Sequence, residues 1–206
     1  MPRAVLSLLF VFATVAVAVV VRARERQDAP QSAPPRALVL QEGDGERLLR
    51  RPGGLTPPSG LVPEFFIKVD KLNGNAQDFY VATEIFAPGA VIPFHKHHNA
   101  EEVVILEEGG ATVVVGDKRA IAGPRSIVFI PRDTWVSLAN ASKVPIHAYF
   151  LFSRPGFENF IRGRSVHPGE PLKPLTPEEI GRIAVQGHME IWDTSKGPYP
   201  PGVAHP

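Results

Sequence analysis

A regular punctuation of short apolar runs between residues 61 and 152 constrains this chain more than any other feature. Candidate strands fall at 65–69, 78–86, 90–97, 102–106, 112–115, 126–130, 135–139 and 145–152. Turn signals separate them: Asn73-Gly74, Pro88-Gly89, Gly109-Gly110, Gly116-Asp117, Gly123-Pro124 and Pro131-Arg132-Asp133. About eight short strands with no long helix between them predict an all-β fold, an antiparallel barrel or sandwich. The 22 prolines and 18 glycines among 206 residues fit turns and irregular arms rather than a helical bundle.

The ends read differently. Residues 4–21 carry no charge and are apolar apart from Ser7 and Thr14. That length suits either a signal-peptide core or a short membrane anchor. Ala16-Val17-Ala18 supplies a cleavage-type A-x-A, whereas Arg22, Arg24 and Arg26 oppose export of that flank. Residues 1–26 are therefore read as a membrane-targeting segment, cleaved or retained, and the protein is expected to be exported (periplasmic or extracellular) or membrane-anchored. Residues 27–60 read as a Pro/Gly-rich linker and arm, with apolar runs at 37–40 and 48–49.

Beyond the barrel span of 61–155 lies an extension, 156–206. A short helix is expected at 156–162 and a second near 176–187. Thr176 is the N-cap of the second, Pro177 its first residue, and Glu179 stands three after the cap. Ile180, Ile183 and Ala184 give it an apolar face that predicts packing outside the barrel, and Gly187 is its stop. The tail from Asp193 is expected to fray. A net charge of +1 offers no basic field, so no nucleic-acid partner is expected. The absence of cysteine excludes disulfides, thiolate ligands and a Cys nucleophile.

The chemistry concentrates in residues 89–109, GAVIPFHKHHNAEEVVILEEG. His95 and His97 are two apart, so on a strand both rings project to one face, with Lys96 opposite. Glu102 opens the next apolar run, and a hairpin would return its carboxylate to the two imidazoles. Two His and one carboxylate from adjacent strands can hold a divalent metal with open positions; iron, manganese, nickel, copper and zinc all suit such donors. The plainer alternative is a pair of structural histidines in a barrel that serves only as a shell. Trp135, Phe94, Phe129, Phe150 and Phe152 read as packing residues, and Arg132 and Asp133 as an exposed turn.

This segment resembles the first motif of the cupin superfamily, G-x5-H-x-H-x4-E-x6-G, with Gly89, His95, His97, Glu102 and Gly109 in register. The second motif is matched in part, by Gly123, Pro131 and Asn140. Asp133 stands at its turn Gly and Val136 at its metal-binding His. The ending 152–157, FSRPGF, resembles small single-domain cupins of the quercetin dioxygenase-like type. The resemblance implies a jelly-roll barrel with a metal inside it, held by His95, His97 and Glu102. With Val136 unable to ligate, His147 on the last strand, and less readily His98, could replace the missing donor.

Several functions follow from that resemblance. One is a metal-dependent dioxygenase-type oxidoreductase acting on a small organic substrate, with Glu102 also serving as a catalytic base. The others are a non-catalytic small-molecule binding or sensor cupin, and a cupin isomerase or epimerase. The expected partners are a small-molecule ligand or substrate, the membrane if the N-terminal segment is uncleaved, and a second copy of the chain in a homodimer.

Overall fold

A computed structural model describes residues 34–53 and 62–205. The membrane-targeting segment and much of the linker expected at 27–60 lie outside the described residues. No helix among the described residues is long and apolar enough to cross a membrane.

The strands form two antiparallel sheets. Their ranges are β1 (Glu46–Arg50), β2 (Glu64–Val69), β3 (Tyr80–Phe86), β4 (Val91–His97), β5 (Glu102–Glu108), β6 (Ala111–Val115), β7 (Lys118–Ala122), β8 (Ile127–Ile130), β9 (Val136–Ala139), β10 (Ile146–Phe152), β11 (Ser165–Val166) and β12 (Met189–Ile191). The seven-stranded sheet runs β11-β1-β2-β3-β10-β5-β8 and the five-stranded sheet β12-β4-β9-β6-β7. Two helices, α1 (Phe157–Gly163) and α2 (Pro177–Gln186), follow the barrel. This is the all-β, antiparallel architecture expected from the strand spacing, of the jelly-roll type that the resemblance implies, with the C-terminal helix in place.

The core lies between the sheets, and side-chain alternation builds it. Along β10, Ile146, Ala148, Phe150 and Phe152 are buried, while Tyr149 and Leu151 face out. The inward phases of the other strands add Ile67, Tyr80, Val104, Leu106, Val113 and Leu138. Gly109 closes the β5–β6 turn at φ +76°, where a Cβ would meet the Pro145 carbonyl oxygen at 2.7 Å. Only glycine meets both demands there.

The sheets run past both ends of the expected 61–155 span. Strand β1 comes from the arm and pairs with β2 and β11; β12 comes from the extension and pairs with β4. These additions escape a pattern reading because β1 alternates charge with Leu48 and Leu49, while β11 and β12 are too short to show periodicity. Strand β7, KRAIA, was hidden by its exposed charges. Helix α2 has the full capping box: the Thr176 side chain accepts from Glu179 N at 3.2 Å, and Glu179 accepts from Thr176 N at 2.8 Å.

Two expectations need correction. The tail from Asp193 is docked rather than frayed: Tyr199 packs edge-on to Phe94 at 6.0 Å, Val203 is buried, and Ala204 N donates to Gly116 O at 2.8 Å. Phe129 is not core, because the inward phase of β8 is taken by Val128 and Ile130, leaving Phe129 56% exposed.

Candidate metal centre

Strand β4 carries His95 and His97 on its inward phase, and both are buried. Their rings meet edge to face, 5.1 Å between centroids. Lys96 points outward to Glu190 on β12 at 3.0 Å. Glu102 is the first residue of β5, buried beside Ile130 and Phe152 in the pairing register. The three residues thus bridge the two sheets. One donor atom from each lies within 4.8 Å of the others.

The donors are oriented for this role. His95 Nδ1 lies 2.9 Å from the Pro93 carbonyl oxygen, which can only accept, so Nδ1 carries the proton and Nε2 keeps its lone pair. Burial, reinforced by neighbouring His97, pushes the His95 pKa down to about 4, leaving a neutral imidazole at pH 7. His97 is wedged edge-on between Phe152 (4.9 Å) and Phe157 (4.7 Å). Its Nε2 stands 3.4 Å from Glu102 Oε2, yet neither His97 nitrogen nor that oxygen makes a hydrogen bond.

Buried polar atoms without partners each cost about 1–3 kcal/mol, and a carboxylate more. A divalent transition metal would take one His97 nitrogen and the Glu102 oxygen together with His95, so the residues fit the group implied by the motif. His95, His97 and Glu102 are the residues that would hold it.

Val136 on β9 stands opposite His95 in the β4–β9 register and is buried against the site. The position of the family's further His is therefore filled by an aliphatic side chain. His147 does not replace it. The inward phase of β10 passes through Ile146 and Ala148, so His147 projects from the outer face with Tyr149 and Leu151, beside Lys68 and Glu107. His98 also faces out, 2.5 Å from Asp133 Oδ1 and 3.7 Å from Glu190. Asp133 adopts φ +55°, the turn geometry for which the motif uses glycine. Asn140 serves structure: its side-chain amide donates to Phe86 O (3.1 Å) and Val144 O (2.8 Å), tying down the turn before β10. Trp135 packs on Trp192 at 5.6 Å beneath Lys96, as a packing residue.

A cavity of about 60 Å³ opens beside the triad. That is room for roughly four to six water molecules, so it suits a small molecule. Its wall is apolar except for five side chains: His95 and Glu102 on one side, and Arg50, Glu84 and Arg164. The last three were missed in the sequence. Glu84 is on the inward phase of β3, between Ala82 and Phe86, and is ion-paired with Arg50 at the end of β1. The Arg50 guanidinium lies 5.3 Å from the Phe65 ring centroid, and that of Arg164 lies 5.2 Å from the Phe160 ring centroid. Burial raises the Glu84 pKa to about 7, against the opposing pull of Arg50 and Arg164. Burial and Arg50 push Arg164 down to about 9, still protonated at neutral pH. A charged residue in the inward phase of β3 was the one available signal; nothing in the sequence brought Arg50 and Arg164 to it.

Residues 82–152 match the family model described as Cupin domain. Among solved structures, a predicted oxalate decarboxylase from Thermotoga maritima aligns with TM-score 0.48 and 14% identity, over 57% of this chain and 100% of that one. The oxalate decarboxylase of Lactobacillus farciminis, in a formate complex, aligns with TM-score 0.43 and 22% identity, over 49% of this chain and only 31% of that one. The Schizosaccharomyces pombe Cnp3 cupin domain aligns with TM-score 0.41 and 18% identity, over 52% of this chain and 75% of that one. No curated protein matches the chain. With the His-x-His and Glu of the first motif drawn together between two antiparallel sheets, residues 82–152 form the part of this chain that the Cupin domain model describes.

Proposed function

We propose that this cupin is a metal-dependent enzyme that processes a small organic substrate in the barrel cavity, with dioxygenase-type oxidation as the reaction class. The observation that carries the reading is the set of orphaned buried donors on His97 and Glu102 beside the lone pair of His95 Nε2. A bound divalent transition metal would supply Lewis acidity and open positions for substrate. The chain's own residues do the rest. His95 and His97 are held in place, by Pro93 and by Phe152 and Phe157. The apolar wall excludes water, and Glu102 is placed at the cavity to accept a proton from a substrate hydroxyl. The apolar run at 4–21 supports an exported or membrane-tethered location, which fractionation of the full-length chain would test.

Elemental analysis of the full-length protein, purified without a His tag, tests the metal reading. About one iron, manganese, nickel or copper per chain is expected, and the double variant His95→Ala, His97→Ala should lose it. No metal in either, even after reconstitution, overturns the reading. Oxygen uptake by the loaded protein with small phenols and flavonols then tests the reaction class. A full metal load with no turnover would favour a binding or sensor role.

A further inference from the structure

The end of the cavity that the cupin motif does not encode carries its own chemistry. Arg164 is 4% exposed, and neither its Nε nor its Nη2 has a hydrogen-bond partner; Arg50 Nε is likewise buried and unpaired. Nε and Nη2 lie on one edge of a guanidinium and form the two-pronged donor that matches a carboxylate. The same edge is in use elsewhere in this molecule, where Arg47 Nε and Nη2 donate to the two oxygens of Glu64 at 3.0 and 2.7 Å. At Arg164, a residue that lines the cavity, that edge is buried and has no hydrogen-bond partner. Two guanidinium groups face a single carboxylate, Glu84, so this end is cationic even with Glu84 ionised. An uncompensated buried charge is costly and calls for a counter-ion.

We propose that the cavity takes a small carboxylic acid, its carboxylate seated on the paired edge of Arg164 with help from Arg50, and its remaining polar group directed to the His95–Glu102 end. This rests on the cavity being the ligand site proposed above, and it names the substrate class of that site. The cavity volume of about 60 Å³ limits the acid to a few carbon atoms.

The test is titration calorimetry of the full-length chain with malonate and with malonamide, its uncharged counterpart, on metal-loaded and metal-stripped protein. Malonate should bind at least tenfold more tightly than malonamide. Arg164→Lys, which keeps the charge and removes the fork, should weaken malonate at least tenfold with metal content per chain unchanged. Equal binding of acid and amide, no malonate binding, or full malonate affinity in Arg164→Lys would overturn the proposal. The acid-against-amide comparison uses wild-type protein and stands even where the variant fails to fold. A chain that takes up no metal but still binds malonate through Arg164 would separate the two readings: the metal site fails and the carboxylate site holds.

Discussion

The two ends of the cavity are built in opposite ways. The His95–His97–Glu102 end comes from consecutive strands β4 and β5, within a stretch of eight residues, and presents two imidazoles and one carboxylate. The Arg50–Glu84–Arg164 end is assembled from the arm, from β3 and from the segment after α1, and presents two cations around one carboxylate. Of these three, only Glu84 lies within residues 82–152, the stretch matching the cupin model. On the proposed function the difference is a division of labour: the locally encoded end would hold a metal, and the end assembled at a distance would select what reaches it.

The largest effect expected from breaking this comparison is at the cationic end. Glu84→Ala would leave Arg50 and Arg164 buried without a counter-charge, and should cost about 3–5 kcal/mol in chemical unfolding. Its metal content, measured beside it, should stay at the wild-type level, because the triad is untouched. A loss of under 1 kcal/mol would show that the arginines are solvated rather than paired.

The two ends should also answer pH with opposite signs in metal-free protein. His95 has a folded pKa of about 4 against 6.5 as reference, so its contribution is present above pH 6.5 and lost as pH falls towards 4. Glu84 has a folded pKa of about 7 against 4.5, so its contribution is present below pH 4.5 and lost as pH rises through 7. Each limb amounts to about 3 kcal/mol at most, and they oppose one another where they overlap. Glu84→Gln should therefore expose stability that rises with pH, and His95→Ala stability that falls with pH. Identical slopes in denaturant melts of both variants would refute the assignment.

A sharpening change is Val136→His, which returns a donor opposite His95. Metal affinity should rise about tenfold, at an overpacking cost to the fold of roughly 1–3 kcal/mol. Unchanged affinity in a competition titration would mean that the site is not one ligand short. The smallest effect belongs to His147→Ala. With its ring on the outer face, metal content should not move, and stability should shift by no more than about 0.5 kcal/mol.

How much was legible follows from the range of the forces involved. Period-two alternation and turn residues made most of the barrel strands readable, because pleating acts over a few residues. The His-x-His spacing made the β4 donors readable for the same reason, and Glu102 followed through the next turn. His147 misled because alternation puts residues on a shared face without saying which face is inside. That is decided by the partner sheet, here by the burial of Ile146, Ala148, Phe150 and Phe152. Phe129 misled in the same manner, with Val128 and Ile130 taking the inward phase of β8.

By itself, the sequence determined a β-rich chain with a His, His, Glu constellation, a capped helix after it and no thiol chemistry. Local sterics, capping and composition act within a turn or a strand and leave their mark in the order of residues. The tertiary structure alone decided that the arm and the extension enter the sheets, that Val136 closes the position opposite His95, and that Arg50 and Arg164 converge on Glu84. These pairings span 34 positions in the case of Arg50 and Glu84. Burial on a shared core creates them, and burial is a property of the folded chain rather than of any segment of it.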